Sequence, residues 1–210
     1  MKVFKFGGAS VSSIERIQNL KNLLDGFKGE QLMIIISAMG KTTNALEKVA
    51  EAFFSGKQEE ALQLFDEVKK THIDIINGLL KNTQQCLAHL KSISTEVEWI
   101  LRDEPVKNFD YYYDQIVGIG ELLSTTIISH YIQEIGIKNK WIDVRDVFRT
   151  DDTFREAVLD WSYTQQQINT VVKPLLKTHK ILITQGFIGS TDENVTTTLG
   201  REGSDYSAAI

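Results

Sequence analysis

The chain has 210 residues, of which 42% are hydrophobic and 24% charged, an ordinary composition for a globular domain with its own core. Its net charge of −5 argues against nucleic acid or an anionic membrane as partner, because such surfaces attract basic faces. No apolar stretch has the length of a membrane span or the form of a secretory signal. The single cysteine, Cys86, has no partner for an internal disulfide, which predicts a reducing, cytoplasmic location.

The first predicted elements form a β–α–β unit. Residues 2–6 predict a strand, residues 13–27 a helix with one apolar stripe, and residues 32–37 a second strand. The second strand is apolar on both faces, which is typical of an interior strand of a parallel sheet. Ser12 and Ser13 are candidate N-caps of the helix.

The middle of the chain, roughly residues 43–135, predicts almost only helix. Two apolar stripes lie on either side of a turn at Asn82-Thr83 and predict a helical hairpin. A further single helix is expected from about residue 109 to residue 135.

The last part predicts alternating strands and helices again. We expect a strand at residues 137–144, a helix at about 162–178 and a buried strand at 181–184. Strands that are separated by helices imply a parallel sheet with helices on both faces.

The segment after the first strand is suited to binding phosphate. Gly7 and Gly8 lack a Cβ atom, so their backbone N–H groups can approach phosphate oxygens, and Lys5 adds a positive charge beside them. The positive end of the next helix would face the same position. The alternative interpretation is a tight β–α turn without a ligand. The P-loop, Rossmann and protein-kinase signatures are absent.

Three further polar and glycine-rich segments follow predicted strands. They are residues 37–44, residues 185–189 and residues 196–209. In parallel sheets, ligands bind outside the carboxyl ends of the strands. The coincidence of four such segments at one edge therefore predicts a ligand site there.

Taken together, these segments resemble the motifs of the aspartate kinases, which belong to the amino acid kinase family. The matching residues, in chain order, are Lys5–Ser10, Ser37–Gly40 with Thr43-Asn44, Gly120–Ser124, Asp143–Arg145, Gly186–Gly189 and Thr196–Ala209. The resemblance spans the whole chain. It implies an α/β fold, a three-layer αβα sandwich with a mainly parallel sheet (the amino acid kinase fold), and a helical insertion at about residues 45–115. The implied reaction moves the γ-phosphoryl group of ATP to the β-carboxylate of L-aspartate, the first step of lysine, methionine and threonine biosynthesis.

The resemblance also implies roles at the phosphate end of the site. Lys5 would stabilise the transferring phosphoryl group, and Asp205 would orient Lys5 rather than act as a base. The backbone of Gly7 and Gly8 would cover phosphate oxygens of ATP. Mg²⁺ is expected to arrive with ATP and to be held mainly by the phosphates, with no metal site built by the protein.

At the aspartate end, the resemblance assigns complementary charges. Arg201 would hold a substrate carboxylate with its planar fork, and Glu121 would bind the substrate ammonium. Short contacts to the amino acid are expected from four small residues, namely Ser37, Thr43, Gly203 and Ser204.

Each of these residues also has a structural interpretation. Glu121 can be a solvated helix residue, and Arg201 can pair with Glu202 or Asp205 to hold a loop. Asp205 can also be the N-cap of a helix that begins at Tyr206.

Neighbouring motif residues predict structural roles. Lys41 and Thr42 are expected to face solvent, and Asp143 with Arg145 predicts an ion pair at a strand end. The aromatic run Tyr111–Tyr113 predicts packing or an interface.

The resemblance has two departures. Glu202 stands where many relatives have glycine, a position that we expect to be permissive. Relatives continue past Ile210 with a nucleotide-side subdomain and regulatory ACT domains. We therefore expect residues 1–210 to be the N-terminal, aspartate-binding part of a catalytic domain that forms homo-oligomers. Alone, this part is expected to bind ATP weakly, to have negligible kinase activity and to self-associate.

Two alternatives stay open. The chain can be a catalytically inactive aspartate-binding fragment, or another amino acid kinase that acts on glutamate or a carbamate. The loop at residues 37–44 and the helical insertion argue against the second alternative.

Overall fold

The computed structural model describes residues 1–210 and is built around a four-stranded parallel sheet. The strands lie in the order β1-β2-β4-β3, and their bounds are β1 Lys2–Phe6, β2 Leu32–Ile36, β3 Lys140–Trp141 and β4 Ile181–Gln185. All three neighbouring pairs are parallel. The predicted strands at 2–6, 32–37 and 181–184 are confirmed.

The strand predicted at residues 137–144 is wrong in extent, because only Lys140 and Trp141 pair with β4. Asp143 ends the strand, since its side chain accepts a hydrogen bond from the backbone N–H of Arg145 and starts a 3₁₀ turn over Val144–Asp146. Arg145 also forms the predicted ion pair with Asp143, at 2.8 Å.

Nine α-helices surround the sheet. Their bounds are α1 Ile14–Asp25, α2 Thr42–Phe54, α3 Gln58–Leu79, α4 Gln84–Arg102, α5 Phe109–Val117, α6 Ile119–Glu134, α7 Trp161–Gln167, α8 Lys173–Thr178 and α9 Gly203–Ala209. The predicted helix at 162–178 is confirmed, with a π-helical segment at Ile168–Val172 between α7 and α8. Ser13 is the N-cap of α1, because its side chain accepts a hydrogen bond from the N–H of Arg16. None of the helices combines the length and the apolar character that a membrane crossing requires.

The single helix predicted at residues 109–135 is wrong, because α5 and α6 meet at a break at Gly118. A short antiparallel pair, β5 (Ile188–Ser190) with β6 (Thr196–Thr198), packs against this break. A Cβ atom at Gly118 would lie 2.8 Å from the carbonyl oxygen of Asp114 and 3.0 Å from the Thr196 side chain, so a larger residue would force this packing to shift. The helical hairpin of α3 and α4 is confirmed.

Helices cover both faces of the sheet, which gives the predicted three layers. On one face, Thr125 of α6 accepts hydrogen bonds from Gln185 of β4, at 2.8 Å, and from Trp141 of β3. On the other face, Ile35 of β2 shares a small apolar cavity with the π-helical segment and α9. Cys86 is fully buried in the core, and burial raises the pKa of its thiol to about 12, so it packs rather than reacts.

Candidate functional site

A cavity of about 720 Å³ opens beside the carboxyl ends of the parallel strands. All six residues that the resemblance assigned to aspartate line this cavity, namely Ser37, Thr43, Glu121, Arg201, Gly203 and Ser204. They come from the end of β2, from the first turns of α2, α6 and α9, and, for Arg201, from the turn just before α9. The fold therefore gathers residues that are up to 167 positions apart in the sequence.

Glu121 is buried at the floor of the cavity, with 3% of its surface exposed. The backbone N–H of Ala38 donates to its Oε1 at 3.2 Å, while Oε2 has no partner in the chain. Burial raises the pKa of this carboxyl to about 8, and the Ala38 N–H opposes the shift only in part. The interpretation of Glu121 as a solvated helix residue is thus wrong, because this side chain lacks one partner and faces a ligand-sized space.

Close packing of α6 against the loop after β2 holds Glu121 in place. A Cβ atom at Gly120 would lie only 3.0 Å from the Cβ of Ala38, so a larger residue would push the helix and the loop apart by a few tenths of an ångström. The hydroxyl of Ser124, one turn further along α6, donates to the carbonyl of Ser37 at 2.8 Å. Helix and loop therefore form one rigid wall.

Arg201 also lines the cavity, is exposed and forms no ion pair. The loop ion pair with Asp205 that was open as an alternative does not form, because Asp205 bonds to Lys5 instead. The guanidinium fork of Arg201 is thus free to bind a carboxylate in two places.

The Lys5–Asp205 pair lies beside the cavity rather than in its wall. Lys5 Nζ donates to Asp205 Oδ2 at 3.0 Å, across 200 residues of sequence. Asp205 lies in the first turn of α9, which begins at Gly203, so its interpretation as the N-cap of a helix from Tyr206 is wrong.

The turn after β1 presents unpaired backbone donors next to Lys5. The N–H groups of Gly7, Gly8 and Ala9 donate no hydrogen bond within the chain. A Cβ atom at Gly7 would lie 3.7 Å from Lys5 Nζ, and one at Gly8 would lie only 2.6 Å from the carbonyl oxygen of Ala38. A cation beside free N–H groups matches the oxygens of a phosphate.

The first turn of α9 joins the two parts of the site. Gly203 and Ser204 line the cavity, and the next residue, Asp205, holds Lys5. A Cβ atom at Gly186, after β4, would lie 2.6 Å from the Cβ of Ser204, so this glycine lets α9 approach the sheet. Glu202, just before α9, has a positive φ of 61°, a conformation that glycine adopts without strain.

Sequence reasoning missed Asp114, which is fully buried in α5. Its carboxylate accepts hydrogen bonds from the N–H of Arg155 at 3.0 Å, and from the N–H and hydroxyl of Thr198 at 2.8 and 2.7 Å. Burial raises its pKa to about 6. A usable signal was present, because Asp114 lies seven residues, or two helical turns, before Glu121 in an otherwise apolar stretch.

Two neighbouring residues add to these observations. Tyr113, from the aromatic run expected to pack or to form an interface, also lines the cavity, and its hydroxyl donates to Glu47 at 2.8 Å. Thr42 was expected to face solvent, but only 8% of it is exposed, because it packs close to Gly120. Arg155 also lines the cavity and was not singled out by any motif.

The sequence model of the Amino acid kinase family matches residues 1–210 of this chain. The chain belongs to this family. Within the family, its sequence is 33% identical to Aspartokinase 2, chloroplastic, of Arabidopsis thaliana, over 98% of this chain and 38% of that protein. It is 31% identical to Lysine-sensitive aspartokinase 3 of Escherichia coli (strain K12), over 99% of this chain and 45% of that protein.

A solved structure of E. coli aspartokinase III in complex with lysine and aspartate (T-state) has the same fold. It superposes with a TM-score of 0.83 at 30% identity, over 99% of this chain and 45% of that one. The predicted resemblance to aspartate kinases and the predicted fold are thus confirmed. The chain spans less than half the length of these relatives.

Proposed function

We propose that this chain provides the aspartate-binding cavity and the phosphoryl-transfer lysine of an aspartate kinase. The observation that carries the proposal is the presence of opposite charges in the wall of one cavity, namely Glu121 with its unpartnered Oε2 and Arg201, which has no ion-pair partner. L-Aspartate has the complementary groups. Its ammonium would pair with Glu121 and its α-carboxylate with Arg201, which leaves the β-carboxylate to face Lys5.

The chemistry needs alignment and charge neutralisation more than proton transfer. A β-carboxylate oxygen attacks the γ-phosphorus of ATP, the bond to the bridging oxygen breaks, and ADP leaves. The nucleophile is already an anion, so no base removes a proton. Asp205 is therefore proposed to hold Lys5 in place, and Lys5 is proposed to stabilise the negative charge on the transferring phosphoryl group.

The residues after β1 fit a nucleotide phosphate chain. When bound with Mg²⁺, ATP supplies the phosphoryl group. The free N–H groups of Gly7 and Gly8 would hold phosphate oxygens, and Lys5 would sit between donor and acceptor. The proposal also includes a homo-oligomer, which the resemblance to the family implies, and a cytoplasmic location, which the single cysteine favours. It further includes a product that enters lysine, methionine and threonine biosynthesis.

A two-part experiment tests this function. Calorimetry first compares the binding of L-aspartate, L-asparagine and L-glutamate to residues 1–210. Hydroxylamine then traps any aspartyl phosphate formed with ATP and Mg²⁺, both by residues 1–210 and by the complete gene product. We expect aspartate to bind at least about tenfold more tightly than the other two, because both partners of its charges are fixed, and we expect product from the complete gene product.

The outcomes separate the candidates. Aspartate binding without product from the complete gene product would favour the alternative of an inactive aspartate-binding protein. Tighter binding of glutamate would favour another amino acid kinase. Failure to bind any of the three amino acids would contradict the proposal.

A further inference from the structure

Arg155 is a second arginine in the wall of the cavity, on the loop between β3 and α7. Its side chain is 46% exposed and bonds to Asp110 through Nη1, at 3.1 Å. The guanidinium also lies over the ring of Tyr113, 4.4 Å from the centroid. A guanidinium has five N–H donors, and this single hydrogen bond leaves the others available to a ligand.

The backbone of Arg155 is held in a conformation that side chains disfavour. Its φ is 70°, in the left-handed region where glycine is the usual residue. The buried carboxylate of Asp114 fixes this conformation by accepting the Arg155 N–H at 3.0 Å. A strained, non-glycine residue in a cavity wall points to a role for its side chain, because strain persists mainly at functional positions.

Arg155 is also next to Arg201 in space. Its carbonyl oxygen lies 3.2 Å from the position that a Cβ atom would take at Gly200, the residue before Arg201. The backbones of the two arginines are thus neighbours, and both residues line the cavity to which Glu121 contributes the buried carboxylate. Lys5 does not line the cavity and bonds to Asp205, so neither arginine is paired with the group assigned to phosphoryl transfer.

We propose that Arg155 is a specificity-determining residue that leaves Asp110 to bind the α-carboxylate of the amino-acid substrate together with Arg201. The inference rests on the proposed function, which assigns the β-carboxylate to Lys5 and leaves the α-carboxylate for the two arginines. Two forks on one carboxylate select free amino acids and reject α-amides and peptides that begin with aspartate, since these lack the second negative charge.

The test uses Arg155→Gly, because glycine adopts a φ of 70° without strain and so removes the side chain while keeping the loop. Calorimetry on residues 1–210 should show a roughly tenfold weaker Kd for L-aspartate, the scale expected for one charge-assisted contact. The melting temperature should not fall. Asn194→Gly is the matched control, since Asn194 also has a positive φ, of 60°, and does not line the cavity. It should bind aspartate as the wild type does.

Two further measurements make the test specific. L-Aspartic acid α-amide lacks the α-carboxylate, so the wild type and Arg155→Gly should bind it equally weakly. L-Asparagine keeps the α-carboxylate, so its affinity should fall about as much as that of aspartate. Asp110→Asn frees the guanidinium from its competitor and should tighten aspartate binding about two- to threefold.

The proposal fails if the wild type binds aspartate and Arg155→Gly binds it with the same Kd. An equal fold loss for aspartate and its α-amide would contradict the assignment to the α-carboxylate, and weaker binding by Asp110→Asn would contradict the exchange of partners. A wild type that binds no aspartate would overturn the proposed function itself, which is a different result from a loss confined to the variant.

Discussion

The two ends of the site hold their charges in opposite ways. At the aspartate end, Glu121 is buried and has one backbone donor and one unpartnered oxygen. At the phosphate end, Lys5 and Asp205 form an ion pair whose side chains are 25% and 62% exposed. The first charge depends on a ligand for its ionisation, whereas the second pair is solvated and contributes little to stability, roughly 0–1 kcal/mol.

This difference suits the two substrates. A small zwitterion is recognised well by a few fixed charges in a dry cavity, because each mismatched group then costs a full desolvation. A triphosphate is large and highly charged, and free N–H groups beside a lysine that an ion pair holds in place match the oxygens of its phosphates. If the proposed function holds, the aspartate end should set affinity and selectivity, and the phosphate end should set the rate.

The largest effect is expected at Lys5. Lys5→Ala in the complete gene product should lower kcat about 100-fold or more, because one preorganised charge on the transferring group is lost. The aspartate KM should change much less. Lys2→Ala is a suitable control, since Lys2 lies on the same strand and contacts Glu30 and the Phe27 ring rather than the site. Steady-state kinetics that show a kcat within a few-fold of wild type would remove Lys5 from this role.

Glu121→Gln should produce the opposite pattern. Glutamine keeps the shape and can keep the Ala38 contact, but it offers no charge to an ammonium, so the aspartate KM should rise by about 10- to 100-fold. The ATP KM should stay nearly constant. Equal weakening of both substrates would show that the two ends are not independent, which would contradict the comparison.

Arg201→Lys tests the geometry of the carboxylate contact at nearly constant charge. Lysine cannot form the two parallel hydrogen bonds of a guanidinium, so the aspartate KM should rise roughly 5- to 10-fold with little change in kcat. Kinetics on this variant that match the wild type would mean that Arg201 acts only as a point charge.

The pH dependence of stability should separate the two ends as well. Burial raises the pKa of Glu121 to about 8, above its ordinary value, so the folded state binds a proton that the unfolded state has lost between about pH 4.5 and 8. The stabilisation is complete below this window and is lost as the pH rises through it, by up to about 1.4 kcal/mol per pH unit. When urea unfolding is measured from pH 5 to 8.5, the free energy of unfolding should change less with pH for Glu121→Gln than for the wild type. A curve as steep as that of the wild type would mean that Glu121 does not titrate in this range.

The helices and strands could be predicted from the sequence where the apolar pattern was long. The apolar strand at 32–36 and the stripes of α3 and α4 left no competing interpretation. The break at Gly118 was not predicted because the helical periodicity of the sequence continues through it. The close approach of β5 and β6 at this glycine is a tertiary contact that the pattern does not reveal. The strand at 137–144 was too long because Asp143 turns the chain with a side-chain hydrogen bond that alternation does not reveal.

The candidate site could likewise be predicted only in part. The charged motif residues and their gathering at one edge were predictable, and the contact of Lys5 with Asp205 came from resemblance, not from any local pattern. Asp114 and Arg155 were missed for a physical reason. Their importance arises from hydrogen bonds to backbone groups and from a positive φ, and these features exist only once α5, the 151–157 loop and β6 are packed together.

The most direct test is the proton balance of aspartate binding. At pH 7 the empty cavity should hold Glu121 mainly protonated, because its pKa is about 8, and the ammonium of aspartate should drive the proton off. Calorimetry on residues 1–210 in buffers of different ionisation enthalpy should therefore show release of close to one proton per aspartate, decreasing above pH 8 and absent in Glu121→Gln. Tight binding without proton release, or with the same release in Glu121→Gln, would contradict the assignment of Glu121 to the substrate ammonium.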